Sequence, residues 1–155
     1  RRGGADLELR LDANRAWSLA AALDFARAVA PLRPAWYEEP VAAADLPAFL
    51  ARSGARVALD ETLREGPPLA LAHAAGVAAW VLKPSLLGIG GTLAAFTQAQ
   101  GIPCVVSASF ESPRGLAPLA ALARVAPGRP APGLGTAAWF TGAHEPLQEW
   151  RDVVA

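Results

Sequence analysis

The sequence predicts an α/β fold, and within that class a part of a (β/α) barrel. Three observations carry the prediction. Short β-type runs alternate with Ala- and Leu-rich helical stretches along the 155 residues. The first five runs end in Asp12, Glu38, Asp60, Lys83 and Ser107, and the turn glycine Gly133 marks a sixth, so the steps between ends are 26, 22, 23, 24 and 26 residues. No Gly-x-Gly-x-x-Gly follows the first run. A step of this size suits one strand, one helix and two short loops, and alternating β and α implies parallel strands with right-handed crossovers. Parallel strands put their C-terminal ends on one side, where such a barrel builds its site. A doubly wound open sheet is the competing fold, but it gathers ligand groups at a switch point between two strands. Polar groups at five successive strand ends favour the barrel.

The elements follow in order. Leu7–Asp12 alternates in period two as a strand does. Ser18 caps a helix running to Ala30, which Pro31 and Pro34 stop. Residues 35–38 form the second strand, 45–51 a helix closed by Gly54, and 55–60 the third strand. A helix over 69–75 ends at Gly76. Residues 77–83 are an almost continuous apolar run, as expected of a strand buried on both faces. A helix over 92–100, a fifth strand over 102–107, a helix over 114–125 and a short strand over 133–137 follow, with a last amphipathic stretch from Glu145 to Val153. That makes about six βα units, whereas a closed barrel takes eight strands and about 250 residues. Residues 1–155 are therefore expected to be the C-terminal portion of a barrel domain.

Bulk properties narrow the function. Lys plus Arg and Asp plus Glu balance at 14 each, so there is no electrostatic case for nucleic acid or an anionic membrane. Pro, Gly or Arg interrupts every apolar stretch before the length of a membrane span. The opening Arg1-Arg2-Gly3-Gly4 has no apolar region behind it, as a secretory signal would, and the chain contains no methionine. The expected location is the cytoplasm. The single cysteine, Cys104, lies in the apolar run Ile102–Val106 and reads as a small buried hydrophobe rather than a nucleophile.

Three carboxylates at three successive strand ends, Asp12, Glu38 and Asp60, make a hard-oxygen donor set suited to Mg²⁺, or to Mn²⁺ in its place. A single such acid is as well explained by helix capping; three in phase, followed by Lys83, point to a site. Asn14, His73 and His144 fall away from the strand ends, which argues against a nitrogen-rich zinc or iron centre. Lys83 closes Trp80-Val81-Leu82-Lys83-Pro84, and the apolar run before it argues against a lysine merely snorkelling at a strand edge. A divalent ion with a nearby lysine suits removal of a proton from the carbon beside a carboxylate, so the expected partner is a small-molecule carboxylate.

The motifs resemble those of the enolase superfamily. Asp12-Ala13-Asn14-Arg15-Ala16-Trp17 is similar to its Asp-Ala-Asn-x-x-Trp signature, Glu38-Glu39-Pro40 to its Glu-Glu-Pro, Leu59-Asp60-Glu61-Thr62 to its Asp-Glu-Ser/Thr element and Lys83-Pro84 to its Lys-Pro element. Within that superfamily, Ser107-Ala108-Ser109-Phe110-Glu111-Ser112 with Gly115-Leu116, and Gly133-Leu134-Gly135-Thr136, resemble stretches of the o-succinylbenzoate synthases. The last departs from their Gly-Leu-Asp-Thr at Gly135. The resemblance implies a capping domain joined to a modified barrel, and a Mg²⁺-dependent dehydration in menaquinone biosynthesis. It implies Asp12, Glu38 and Asp60 as metal ligands and Glu39 as their support. It implies Lys83 across the substrate from the base, and Ser107, Ser109 and Gly133 as holders of the succinyl arm. It also implies a proton-abstracting lysine in a Lys-x-Lys motif. Lys83 is the only lysine here, so the base, the capping domain and the first strands are expected outside these residues. N-succinylamino acid racemases and dipeptide epimerases share the metal ligands and are the alternative, as is an inactive fragment lacking the base.

Overall fold

A computed structural model describes residues 8–67 and 69–136, with the side chain of residue 69 left out. The chain divides into two compact units, Arg1–Ala78 and Ala79–Ala155.

The first unit carries strands β1 (Arg10–Asp12), β2 (Trp36–Glu38) and β3 (Val57–Leu59), parallel and ordered as in the chain. The register sets Asp12 opposite Glu38, and Glu38 opposite Ala58. Between the strands run helices α1 (Leu19–Val29) and α2 (Leu46–Ser53). Ser18 caps α1 as its sequence predicts, its hydroxyl accepting the Ala21 N–H, and Gly54 closes α2 in the left-handed conformation. The apolar faces of α1 and α2 meet β2 and β3 in a core of Ala22, Leu23, Ala26, Tyr37, Val41, Leu46, Phe49, Val57 and Leu59. Tyr37 packs edge-on against Phe49 and donates its hydroxyl to the Ala26 carbonyl, which satisfies the one polar atom this ring buries. Two short helices complete the unit, α3 (Glu61–Arg64) and α4 (Leu69–Ala72). The first was not expected, and the second is shorter than the 69–75 that composition implied.

Strand β4 (Val77–Leu82) begins at the end of the first unit and runs into the second, where it pairs in parallel with β5 (Cys104–Val106). The second unit also holds α5 (Pro84–Gln98) and α6 (Pro113–Val125). Helix α5 starts at Pro84, eight residues before the expected Thr92. Three glycines weaken helix propensity over this stretch, and at one of them, Gly88, the helix breaks with φ at 72°. The buried Thr92 hydroxyl donates to the Gly88 carbonyl at 2.8 Å and anchors the break. Ser112 caps α6, accepting the Gly115 N–H. The sixth strand is reduced, among the described residues, to one parallel bridge between Ser107 and Gly133. Leu7, Ala137 and the predicted stretch from Glu145 to Val153 lie outside the described residues. No helix of the described residues is long and apolar enough to cross a membrane.

Candidate active site

In the first unit the C-terminal ends of three parallel strands each deliver an acid. Asp12 is the exposed last residue of β1, Glu38 the half-buried last residue of β2, and Asp60 follows β3 with 2% of its surface accessible. Direct pairing of β1 with β2 puts Asp12 and Glu38 side by side, and β3 adds Asp60 one strand further on. Local contacts then orient the acids. The Asn14 N–H donates to Asp12 Oδ1 at 2.9 Å, an Asx turn that pins this carboxylate. Asp60 Oδ1 lies 3.4 Å from Arg64 Nε.

Behind the acids sits Glu39, fully buried. Its Oε1 accepts the backbone N–H groups of Asp60 and Thr62, both at 2.8 Å. Its Oε2 accepts the Thr62 hydroxyl at 2.8 Å and Arg15 Nε at 2.9 Å. Arg15 Nη2 also donates to Thr62 Oγ1 at 2.9 Å, and the Arg15 guanidinium forks onto the Glu65 carboxylate at 2.6 and 3.0 Å. Arg15 N–H donates to the Glu39 carbonyl at 2.7 Å, so backbone and side chain both tie the first loop to the second. Asn14, Arg15 and Glu39 have φ of 45°, 60° and 39°. Such values cost energy in residues other than glycine and persist where surrounding contacts enforce them. The hydrogen bond to Glu65, then the contacts with Glu39, hold the Arg15 guanidinium firmly protonated, and Arg15 in turn holds the Glu65 carboxyl below the usual carboxylate range, favouring its ionised form.

The second unit holds the other expected residues. Lys83 follows β4 half-buried and occupies the N-cap position of α5. Ser107 follows β5. The Ala108 N–H donates to the Gly133 carbonyl and the Gly133 N–H to the Val106 carbonyl, both at 2.9 Å. A Cβ at Gly133 would stand 2.8 Å from Ser107 Oγ, so only glycine fits this approach without displacing the serine. Ser109 is half-buried, and its N–H donates to Glu111 Oε2 at 2.6 Å.

The donor set fits a hard divalent ion in chemistry and in backbone placement. As the side chains stand, however, no three carboxylate, imidazole or thiol groups of the described residues close on a common ion position. The Asp60 carboxylate stands beside Arg64 instead. A cavity of about 300 Å³ opens elsewhere in the first unit, lined by Tyr37, Arg27, Arg33, Arg52 and Arg56. It lies at the C-terminal ends of α1 and α2, where cations offset exposed carbonyl dipoles, and at the strand ends opposite the acids.

Glu39 is legible in the sequence as the neighbour of Glu38. Arg15 and Thr62 are legible only as members of motifs, because their contacts with Glu39 span 24 and 23 residues.

Acids stand at the ends of successive parallel βα units, and comparison with known proteins gives the family. The family described as enolase C-terminal domain-like matches residues 1–153, and the chain belongs to it. Over 145 residues it is 41% identical to an o-succinylbenzoate synthase of Vibrio cholerae serotype O1, covering 87% of this chain and 44% of the relative. The chain thus spans less than half the length of that relative. The solved structure of MenC from Desulfotalea psychrophila is similar with a TM-score of 0.68 and 28% identity, over 90% of this chain and 40% of that one. A dipeptide epimerase from Enterococcus faecalis, solved with Mg and L-Leu-L-Tyr, is similar with a TM-score of 0.70 and 25% identity, over 92% of this chain and 42% of that one. The fold expected from the sequence, the C-terminal part of an enolase-superfamily barrel, is the fold of these relatives.

Proposed function

We propose that the complete protein carrying this chain is a Mg²⁺-dependent dehydratase of the o-succinylbenzoate synthase type, acting in the cytoplasm in menaquinone biosynthesis. The observation that carries this reading is the 41% identity over 145 residues to a relative of that name. The substrate would be a hydroxylated cyclohexadiene carboxylate bearing a succinyl arm, which loses water to become aromatic.

Asp12, Glu38 and Asp60 would hold the ion; the epimerase solved with Mg supports a divalent metal in this family. Bound there, the ion would supply Lewis acidity toward the substrate carboxylate. Lys83 would contribute a fixed positive charge opposite the face from which the proton leaves, steadying negative charge as it develops. The proton itself would pass to a lysine outside this segment, since Lys83 is the only lysine in it. The ring hydroxyl would then depart, taking the proton from that same lysine and leaving as water, and aromatisation would drive that loss. The Ser107 and Ser109 hydroxyls and the Gly133 backbone would hold the succinyl arm.

The test is an assay of the complete protein for dehydration and, in parallel, for N-succinylamino acid racemisation and dipeptide epimerisation. Fast dehydration that Asp60→Asn abolishes is the expected result. Fast racemisation or epimerisation without dehydration would replace this reading by the alternative. Neither activity, in protein that binds metal, would identify an inactive member of the family.

A further inference from the structure

We infer that Arg15 is a positioning residue for the strand-end carboxylates, acting through Glu39 and Thr62. The inference rests on the proposed role of Asp12, Glu38 and Asp60. Arg15 touches none of the three in the contacts described above, yet its partners control the backbone at each strand end. Its own N–H is bonded to the carbonyl of Glu39, the residue after Glu38. Its Nε meets Glu39 Oε2, while Glu39 Oε1 holds the amide of Asp60 itself at 2.8 Å. Arg15 also follows the Asp12–Asn14 turn directly, so a shift of its backbone pulls on the Asn14 N–H that pins Asp12. One guanidinium therefore spans the loops after β1, β2 and β3.

The geometry demands arginine in particular. Three nitrogens serve three partners in one plane: Nε to Glu39, Nη2 to Thr62 and Glu65, and Nη1 to Glu65. A lysine ammonium at that site could neutralise Glu39 but could not also reach the outer carboxylate in the same plane. Glu65 is exposed and separated from Arg15 by 50 residues, and its two contacts fix the guanidinium plane from the solvent side. Three left-handed residues in the two loops, Asn14, Arg15 and Glu39, show that the backbone is held against its own preference.

The experiment compares wild type, Arg15→Lys, Glu65→Gln, Asp60→Asn and the double variant Arg15→Leu/Glu39→Gln in the complete protein. The double variant removes the buried charge along with its partner, so it avoids leaving an unpaired carboxylate in the core. Each is measured for Mn²⁺ affinity by electron paramagnetic resonance and for Tm by thermal melting. Positioning through Arg15 predicts that the double variant loses about 10–100-fold in Mn²⁺ affinity, the range typical of groups that orient metal ligands. Arg15→Lys should lose less, Glu65→Gln less still, and the affinity should not track Tm across the set. A double variant that melts near wild type and binds Mn²⁺ with wild-type affinity overturns the inference. Wild-type binding that is absent, or that Asp60→Asn leaves unchanged, overturns the metal-site reading and the positioning role together, and so is distinguished from failure of the Arg15 role alone.

Discussion

Glu39 Oε1 accepts the backbone N–H of Asp60 at 2.8 Å, so the residue beyond one strand end fixes the main chain of the acid at the next. This carboxylate is fully buried, and Arg15 and Thr62 satisfy its other oxygen. Removing one partner of a buried ion pair leaves a charge without compensation and costs about 3–5 kcal/mol. Arg15→Met should destabilise the protein on that scale, measured by chemical denaturation. If the loss is below about 1 kcal/mol, the pair is not the structural tie described above.

Thr62 offers a finer probe, because its hydroxyl donates to Glu39 and accepts from Arg15. Thr62→Val keeps the shape and removes both bonds, for an expected loss of about 1–3 kcal/mol. Thr62→Ser, which keeps the hydroxyl, should retain most of the stability. Equal loss in both variants would mean that the methyl group, and not the hydroxyl, matters at this position.

For Lys83 the prediction concerns rate. In the complete protein, Lys83→Ala should lower kcat by a factor of about 10²–10³, the scale of losing one charge-stabilising donor, with Mn²⁺ affinity nearly unchanged. Lys83→Arg should recover part of the rate if charge is the contribution. Steady-state kinetics on the two variants decide it; no recovery in the arginine variant would assign Lys83 to proton transfer.

Gly133 and Ser107 make a paired prediction. Gly133→Ala brings a methyl to 2.8 Å from Ser107 Oγ and forces the serine to move. Overpacking of this kind costs about 1–3 kcal/mol, and the displaced hydroxyl should raise KM more than it lowers kcat. Gly133→Ala/Ser107→Ala removes the clashing oxygen and should recover the Tm while KM stays high. Recovery of both would exclude the serine from substrate binding.

Burial raises the Cys104 thiol from 9.0 to about 12. The unfolded chain ionises first, so this contribution to stability is complete below pH 9.0 and is lost as the pH rises toward about 12. Iodoacetamide should leave the native protein unlabelled at pH 9 and modify it once denatured. Rapid labelling of the native state would show that Cys104 is accessible.

The sequence disclosed the beat of the fold and the identity of the strand-end groups better than it disclosed their support. Strand ends at Asp12 and Glu38, the Ser18 cap and the Gly54 stop are local signals, written in neighbouring residues, and the structure reproduces them. The sequence pattern marks only the later part of helix α5, because Gly88, Gly90 and Gly91 depress helix propensity near its start, where Pro84 and the Thr92 anchor hold it in place. The Arg15–Glu65 contact, 50 residues apart, leaves no periodic trace at all. Nor does composition reveal that Asp60 leans toward Arg64.

The acids belong to the compact unit ending at Ala78, whereas the lysine, the serines and Gly133 belong to the unit that follows. On the roles proposed above, a substitution after residue 78 would fall among the groups that hold the substrate arm, and one before it among the groups that hold the ion.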